Sequence, residues 1–277
     1  WVNTQDAALA SAEVSAVITS TNQVPVIVER AMYRAVGLQT FGAGHEAAGV
    51  EAPGLQWYFA EGATGPFLDL FFLIANPTSQ AANVTARYLK PDGSVVVKTY
   101  QVPENSRFNI WVDYEGAELA DTAVATTFEV TNGVGVVIER ALWWGGDITQ
   151  WYEGHNSAGA QATGTKWGLA DGEVDASNGT ETYILIGNTS LTTGTARVTL
   201  VFEDGTQQSR DFALPASSRT NVAVSVEFPS AAGKRFGAIV DSIGATPANL
   251  VVERAMFNDA GGVTWAAGSN AFGTRLR

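Results

Sequence analysis

One segment of this chain occurs three times. Ile27-Val28-Glu29-Arg30-Ala31-Met32 returns as Val137-Ile138-Glu139-Arg140-Ala141-Leu142 and again as Val251-Val252-Glu253-Arg254-Ala255-Met256. The glutamates lie 110 and 114 residues apart. Further blocks keep the same interval. Trp57-Tyr58-Phe59-Ala60-Glu61-Gly62 matches Trp167-Gly168-Leu169-Ala170-Asp171-Gly172, and Leu73-Ile74-Ala75-Asn76 matches Leu185-Ile186-Gly187-Asn188. Val102-Pro103 with Ser106, Arg107 and Asn109 matches Leu214-Pro215 with Ser218, Arg219 and Asn221. Phe41, Trp151 and Trp265 share one position after each Glu-Arg block; His45 and His155 share another, where the third copy has Ser269. Solenoid repeats are about 20–50 residues long, so a period near 110 is that of a whole domain. The chain divides into a middle unit, 57–166, a third unit, 167–277, and a half-unit, 1–56, equivalent to the C-terminal half of the others. It therefore reads as a tandem array entered in mid-domain. The half-unit is expected to be completed by another chain or by sequence outside these residues.

Within a unit, short apolar runs alternate with turn signals, the pattern of an all-β sandwich or barrel. Val84, Ala86 and Tyr88 alternate with polar neighbours, as do Val198, Leu200 and Phe202; period 2 gives a strand with one buried and one wet face. Pro91-Asp92-Gly93 and Glu203-Asp204-Gly205 close hairpins, because Asp-Gly tolerates positive φ. Phe71-Phe72-Leu73-Ile74 and Tyr183-Ile184-Leu185-Ile186 are continuous apolar runs suited to central strands. Seven or eight strands per unit predict tandem antiparallel β-sandwiches of immunoglobulin-like type. Only 7–16 and 115–125 have room for a short helical turn.

Composition removes several functions. The chain has no cysteine, so disulfides, thiolate chemistry and Cys-based zinc sites are excluded. Two histidines cannot form a three-His metal centre. A net charge of −12 and the lack of a basic tract argue against binding nucleic-acid phosphates. No run reaches the roughly 18 apolar residues of a membrane-spanning helix, and no membrane insertion is expected in this segment. The chain opens on Trp1 with no leader-like pattern.

Each chemistry-bearing residue also has a structural reading. Adjacent strand residues face opposite ways, so Glu29 and Arg30, Glu139 and Arg140, and Glu253 and Arg254 cannot both point into one core. Their recurrence favours a shared architectural ion pair, one member meeting a cross-strand partner such as Arg107 or Arg219 and the other exposed. His45 and His155 are expected in Gly-rich loops, without metal-site or acid–base spacing, each in a hydrogen bond to backbone. Asp171, Glu173 and Asp175, with Asn178 and Glu181, form a weak calcium candidate; Ala176 and Thr182 stand where an EF-hand loop needs Gly and Glu. Trp143, Trp144, Trp151 and Tyr152 are candidates for stacking on sugar rings, whereas Trp57 and Trp167, at equivalent unit starts, read as packing residues. The sequons at Asn83, Asn178 and Asn188 give weak support for exposure. No Gly-x-Ser-x-Gly elbow, phosphate loop or dinucleotide fingerprint is present, and no carboxylate pair stands out as a glycosidase would require. The expectation is a non-enzymatic chain without a cofactor.

The blocks at 57–62, 71–77, 251–256 and 262–268 resemble a bacterial domain family of unknown function that occurs as tandem copies in large secreted or surface-anchored proteins. The resemblance covers most of the chain from about residue 12 and carries over no catalytic residue. It implies an extracellular or cell-surface location and a structural or adhesive role. The expected partners are neighbouring domains of the same protein or further copies, joined through strand or half-domain complementation into a filament or array. The alternative is a carbohydrate-binding or adhesin module acting on polysaccharide.

Overall fold

The computed structural model describes residues 1–37, 39–147 and 150–277. Before residue 56 there are two strands, β1 (Glu29–Val36) and β2 (Gln39–Ala48). The middle unit supplies β3 (Gln56–Phe59), β4 (Leu68–Asn76), β5 (Ala82–Leu89), β6 (Val95–Val102), β7 (Ser106–Trp111), β8 (Ala125–Val130), β9 (Val137–Asp147) and β10 (Gln150–Ala158). The third supplies β11 (Lys166–Leu169), β12 (Glu173–Val174), β13 (Glu181–Asn188), β14 (Gly194–Phe202), β15 (Gln207–Leu214), β16 (Ser218–Ala223), β17 (Lys234–Ile243), β18 (Leu250–Ala260), β19 (Val263–Phe272) and β20 (Thr274–Arg275). Among the described residues helix is confined to single turns, including Ala7–Leu9, Val112–Tyr114 and Val224–Glu227. The first lies in one of the two stretches open to helix; the other two fall just after β7 and β16.

The chain is all-β, and among the described residues every strand pair is antiparallel. The middle unit has sheets ordered β3-β8-β5-β6 and β10-β9-β4-β7. The third repeats both orders as β11-β17-β14-β15 and β19-β18-β13-β16, so the repeat in sequence is a repeat in topology. The apolar runs at 71–74 and 183–186 do lie in interior strands, β4 and β13. Each unit encloses its own core between its two sheets. Phe59, Val84, Tyr88 and Phe128 meet Phe72, Ile74, Ile110 and Ile138 in the middle unit. Val198, Leu200 and Val240 meet Ile184, Ile186, Val222 and Val252 in the third.

The recurring polar blocks prove to be backbone locks. The buried indoles of Trp57 and Trp167 donate to the carbonyls of Val136 and Leu250, each at 3.1 Å. The Asn76 amide donates to Gln80 O, Val102 O and Pro103 O; Asn188 donates to the equivalent Thr192 O and Pro215 O. Ser106 and Ser218 each donate to the preceding proline carbonyl at 2.7 Å. These bonds pin the turn between the sheets, where Asn105 and Ser217 both adopt φ of 47°. Buried polar groups must be paired, which gives these positions a structural reason to recur.

The half-unit differs. Its hairpin β1–β2 is the counterpart of β9–β10, but residues 10–28 form no strand. Val14, Ile18, Val24 and Val26 are exposed there, whereas their counterparts Val124, Phe128, Val134 and Val136 are core.

Candidate functional site

The junction between the middle and third units holds the most concentrated charge chemistry in the chain. Along β18, Val251, Glu253, Ala255 and Phe257 share one face, as strand alternation dictates. That face packs on Ala60, Tyr58, Leu68 and Trp144 of the middle unit. Small residues permit the approach. A Cβ on Gly187 would stand 2.9 Å from Val251 Cγ1 and 3.0 Å from Ala125 Cβ, and one on Gly268 would stand 2.8 Å from the Trp144 ring.

Arg140 lies at the centre, with no exposed side-chain surface. Its Nη1 meets Glu253 Oε2 at 2.6 Å and its Nη2 meets Glu61 Oε2 at 2.7 Å. Glu253 Oε1 accepts the backbone N–H groups of Ala60 and Glu61, at 2.7 and 3.1 Å. His155 lies on β10 and His45 on β2, in strands rather than the expected loops, and His155 Nε2 is 3.3 Å from Glu61 Oε1 rather than bound to backbone. Buried Arg219 faces both carboxylates. Two guanidiniums thus balance two carboxylates. Burial pushes the Glu61 carboxyl up, but Arg140 and His155 outweigh it and hold the group at about 2. Burial also drives Glu253 upward, opposed by Arg140 and the Glu61 amide. Burial lowers Arg219 to about 10 against the pull of Glu61 and Glu253.

The expected pairing was within a unit, with one member exposed. The structure places it between units instead. The Arg of one copy meets the Glu of the next, so Arg140 and Glu253 are both fully buried. Arg219 lies beside this pair rather than forming it, and Arg107 meets Glu13 instead.

The junction between half-unit and middle unit is an incomplete version of the same construction. Arg30 Nη1 meets Glu139 Oε2 at 2.8 Å, and its Nη2 donates to Asn156 Oδ1 at 2.9 Å. His45 stands edge-on to Trp143 at 5.7 Å, as His155 stands near Phe257. Arg34 takes the place of Trp144 and lies over the rings of Trp143 and Trp151, at 5.8 and 5.4 Å. At this junction Glu13 meets Arg107 and Asn109. The Arg30 side chain stays 44% exposed. Burial, with Arg30 and His155 nearby, lowers His45 to about 4. Glu153, buried beside this junction, rises to about 7 through burial, eased by the amides of Gly154 and Gly44. In the third unit Arg254 reaches Asp171 at 3.5 Å and donates to Ser269; Glu29 is exposed.

A cleft of about 380 Å³ opens in the middle unit, lined by Phe67, Asp69, Asp113, Tyr114, Gly145 and Trp151 among others. Asp69 accepts the indole N–H of Trp111 at 2.9 Å and that of Trp151 at 2.6 Å. Asp113 accepts the amides of Gly65 and Leu70, at 3.1 and 3.0 Å. Burial raises Asp113 to about 6, and the charge of Asp69 adds to the rise.

The four aromatic candidates separate. Trp151 lines this cleft and Trp143 stands beside it, at 5.9 Å from Trp151. Trp144 is buried at the junction and donates to Trp265 O. Tyr152 is exposed. The calcium candidates do not converge: Asp171 turns to Arg254, Glu173 to Arg235, and Asp175 to the amide of Ser177. Among the described residues no cluster of metal-capable side chains forms. Sequence reasoning missed Asp69, Asp113, Trp111 and Tyr114, of which Asp69 lies far in the chain from the other three. One signal was available: Trp111, Asp113 and Tyr114 break the repeat, being Ala223, Ser225 and Val226 in the third unit.

No family model matches this chain, and no curated protein matches it. Among solved structures it is similar to the crystal structure of Thermotoga maritima 1070, at 17% identity over 40% of this chain and 94% of that one, with a TM-score of 0.35.

Proposed function

We propose that this chain is a non-enzymatic structural segment of a bacterial extracellular or cell-surface protein, an array of immunoglobulin-like β-sandwich units of about 110 residues. Each unit clasps the next with its β9–β10-type hairpin and an Arg–Glu pair. One observation carries the reading: Arg30–Glu139 and Arg140–Glu253 are the same contact, made twice between successive copies. The charged residues that recur are spent on holding units together. At the complete junction they are sealed from solvent, where no substrate could reach them. The half-unit offers a ready surface for self-association, because residues that form core elsewhere are exposed there.

Light scattering and negative-stain imaging of the full chain over a rising concentration series test the assembly. Elongated particles whose mass grows with concentration are expected. A mass that stays at one chain throughout removes self-association from the reading.

A further inference from the structure

Asp69 and Asp113 form a half-buried acidic pair without a cationic partner. Among the described residues no Lys, Arg or His lies within ion-pair distance of either. The fully buried carboxylates of Glu61 and Glu253, by contrast, meet the guanidinium of Arg140, as burial of charge demands. Asp69 and Asp113 meet only N–H dipoles and the charge of each other, inside a chain of net charge −12.

The surroundings are aromatic. Tyr114 stands edge-on to Trp111 at 4.6 Å and 84°, Trp151 to Phe71 at 5.7 Å and 86°, and Trp151 to Trp111 at 5.9 Å and 66°. Rings set this steeply make a corner rather than the flat platform that a sugar ring stacks on. The Trp151 ring already takes a cation in this fold, the guanidinium of Arg34. Tyr114 and Phe67 remain open to solvent, at 66% and 41% exposure. The third unit replaces Trp111, Asp113 and Tyr114 by Ala223, Ser225 and Val226, so the corner is not required by the repeat's architecture. Each carboxylate oxygen already accepts an N–H, which suits a guest held by charge and ring faces better than a metal ion needing direct oxygen ligands.

We propose that this cleft binds a methylated ammonium group, a choline-like head group with its charge facing Asp69 and Asp113 and its methyls against Trp151, Tyr114 and Phe67. A weakly hydrated cation loses little on leaving water and gains both the ring quadrupoles and the acidic pair. The proposal is independent of the array reading, since it concerns one cleft of the middle unit.

The test is titration of the full chain with choline chloride and tetramethylammonium chloride, followed by indole fluorescence and calorimetry. Sodium chloride at equal ionic strength serves as the control. Saturable binding near ~1 mM is expected, weakened roughly three- to thirtyfold in Tyr114→Ala and in Asp69→Asn, with far-ultraviolet dichroism unchanged. Phosphatidylcholine vesicles separate the sources of the group: co-sedimentation assigns it to a lipid and its absence to a soluble amine, both upholding the site. The proposal is overturned if choline matches sodium chloride up to about 50 mM. It is equally overturned if Tyr114→Ala binds choline like the parent chain, or if cellohexaose binds and choline does not. None of these outcomes alters the concentration series that tests assembly.

Discussion

Arg30, Arg140 and Arg254 occupy one position in three copies, yet their surroundings differ by degrees. Arg140 touches two carboxylates and is sealed from solvent, Arg30 touches one and is half exposed, and Arg254 reaches Asp171 at 3.5 Å. Removing one partner of a sealed pair leaves an uncompensated charge, at a cost of about 3–5 kcal/mol, whereas exposed pairs contribute ~0–1 kcal/mol. Arg140→Ala is therefore expected to lower stability by about 3–5 kcal/mol in urea unfolding and Arg30→Ala by less than ~1 kcal/mol. Equal losses would show that the two junctions are not graded versions of one contact. The titrating groups set a pH window. Glu61, held at about 2 against an ordinary 4.5, contributes fully above 4.5 and loses that contribution as pH falls toward 2. Glu153 and Asp113 act in the opposite sense. Raised to about 7 and 6, they favour the fold at low pH and lose that contribution as pH rises through those values. Thermal midpoints should peak near about pH 5 and decline toward pH 8. Glu153→Gln should flatten the alkaline limb while leaving the acid limb in place.

At the scale of strands, the junction depends on how closely β13 can approach the neighbouring unit. Gly187 sits where the middle unit has Ala75. Ala75 already carries a Cβ and is only partly buried, but at Gly187 even a Cβ presses on Val251 and Ala125. Overpacking of such a contact costs about 1–3 kcal/mol. Gly187→Val should thus speed limited proteolysis between the units, while Ala75→Val should not; equal cleavage rates would contradict the close approach. Strands were the legible part of this molecule. Alternation marked Val84, Ala86 and Tyr88 as one buried face, and the paired blocks announced two copies of one topology. The junction was half legible: recurrence singled out Glu139, Arg140, Glu253 and Arg254. Strand periodicity alone, however, pairs residues within a sheet and says nothing of a neighbouring unit landing on its outer face. Hence Arg140 and Glu253 read as members of separate pairs. Asp69, Trp111, Asp113 and Trp151 stayed illegible because the corner is assembled from β4, the end of β7 and the far strand of a hairpin. No local pattern links those positions.

Over the whole molecule, the half-unit is the place where sequence and environment disagree. Ile18 corresponds to Phe128, Val24 to Val134 and Val26 to Val136. The middle-unit residues are core, while those of the half-unit are more than half exposed. Side chains of core type then lie in water beside unpaired backbone, the surface that the proposed association would cover. Since 10–28 adds little to either enclosed core, changing it should separate association from folding. Ile18→Ser, Val24→Ser and Val26→Ser together are expected to abolish the concentration-dependent rise in light scattering and leave the thermal midpoint of the remainder within a few degrees. Phe128→Ser alone, at the counterpart of Ile18, removes a buried aromatic and leaves a hydroxyl in its cavity. It should cost at least ~3 kcal/mol and be seen directly as a lowered midpoint. If the triple change instead unfolds the chain, residues 10–28 are integral to the fold, and their exposed side chains are not the surface on which assembly depends.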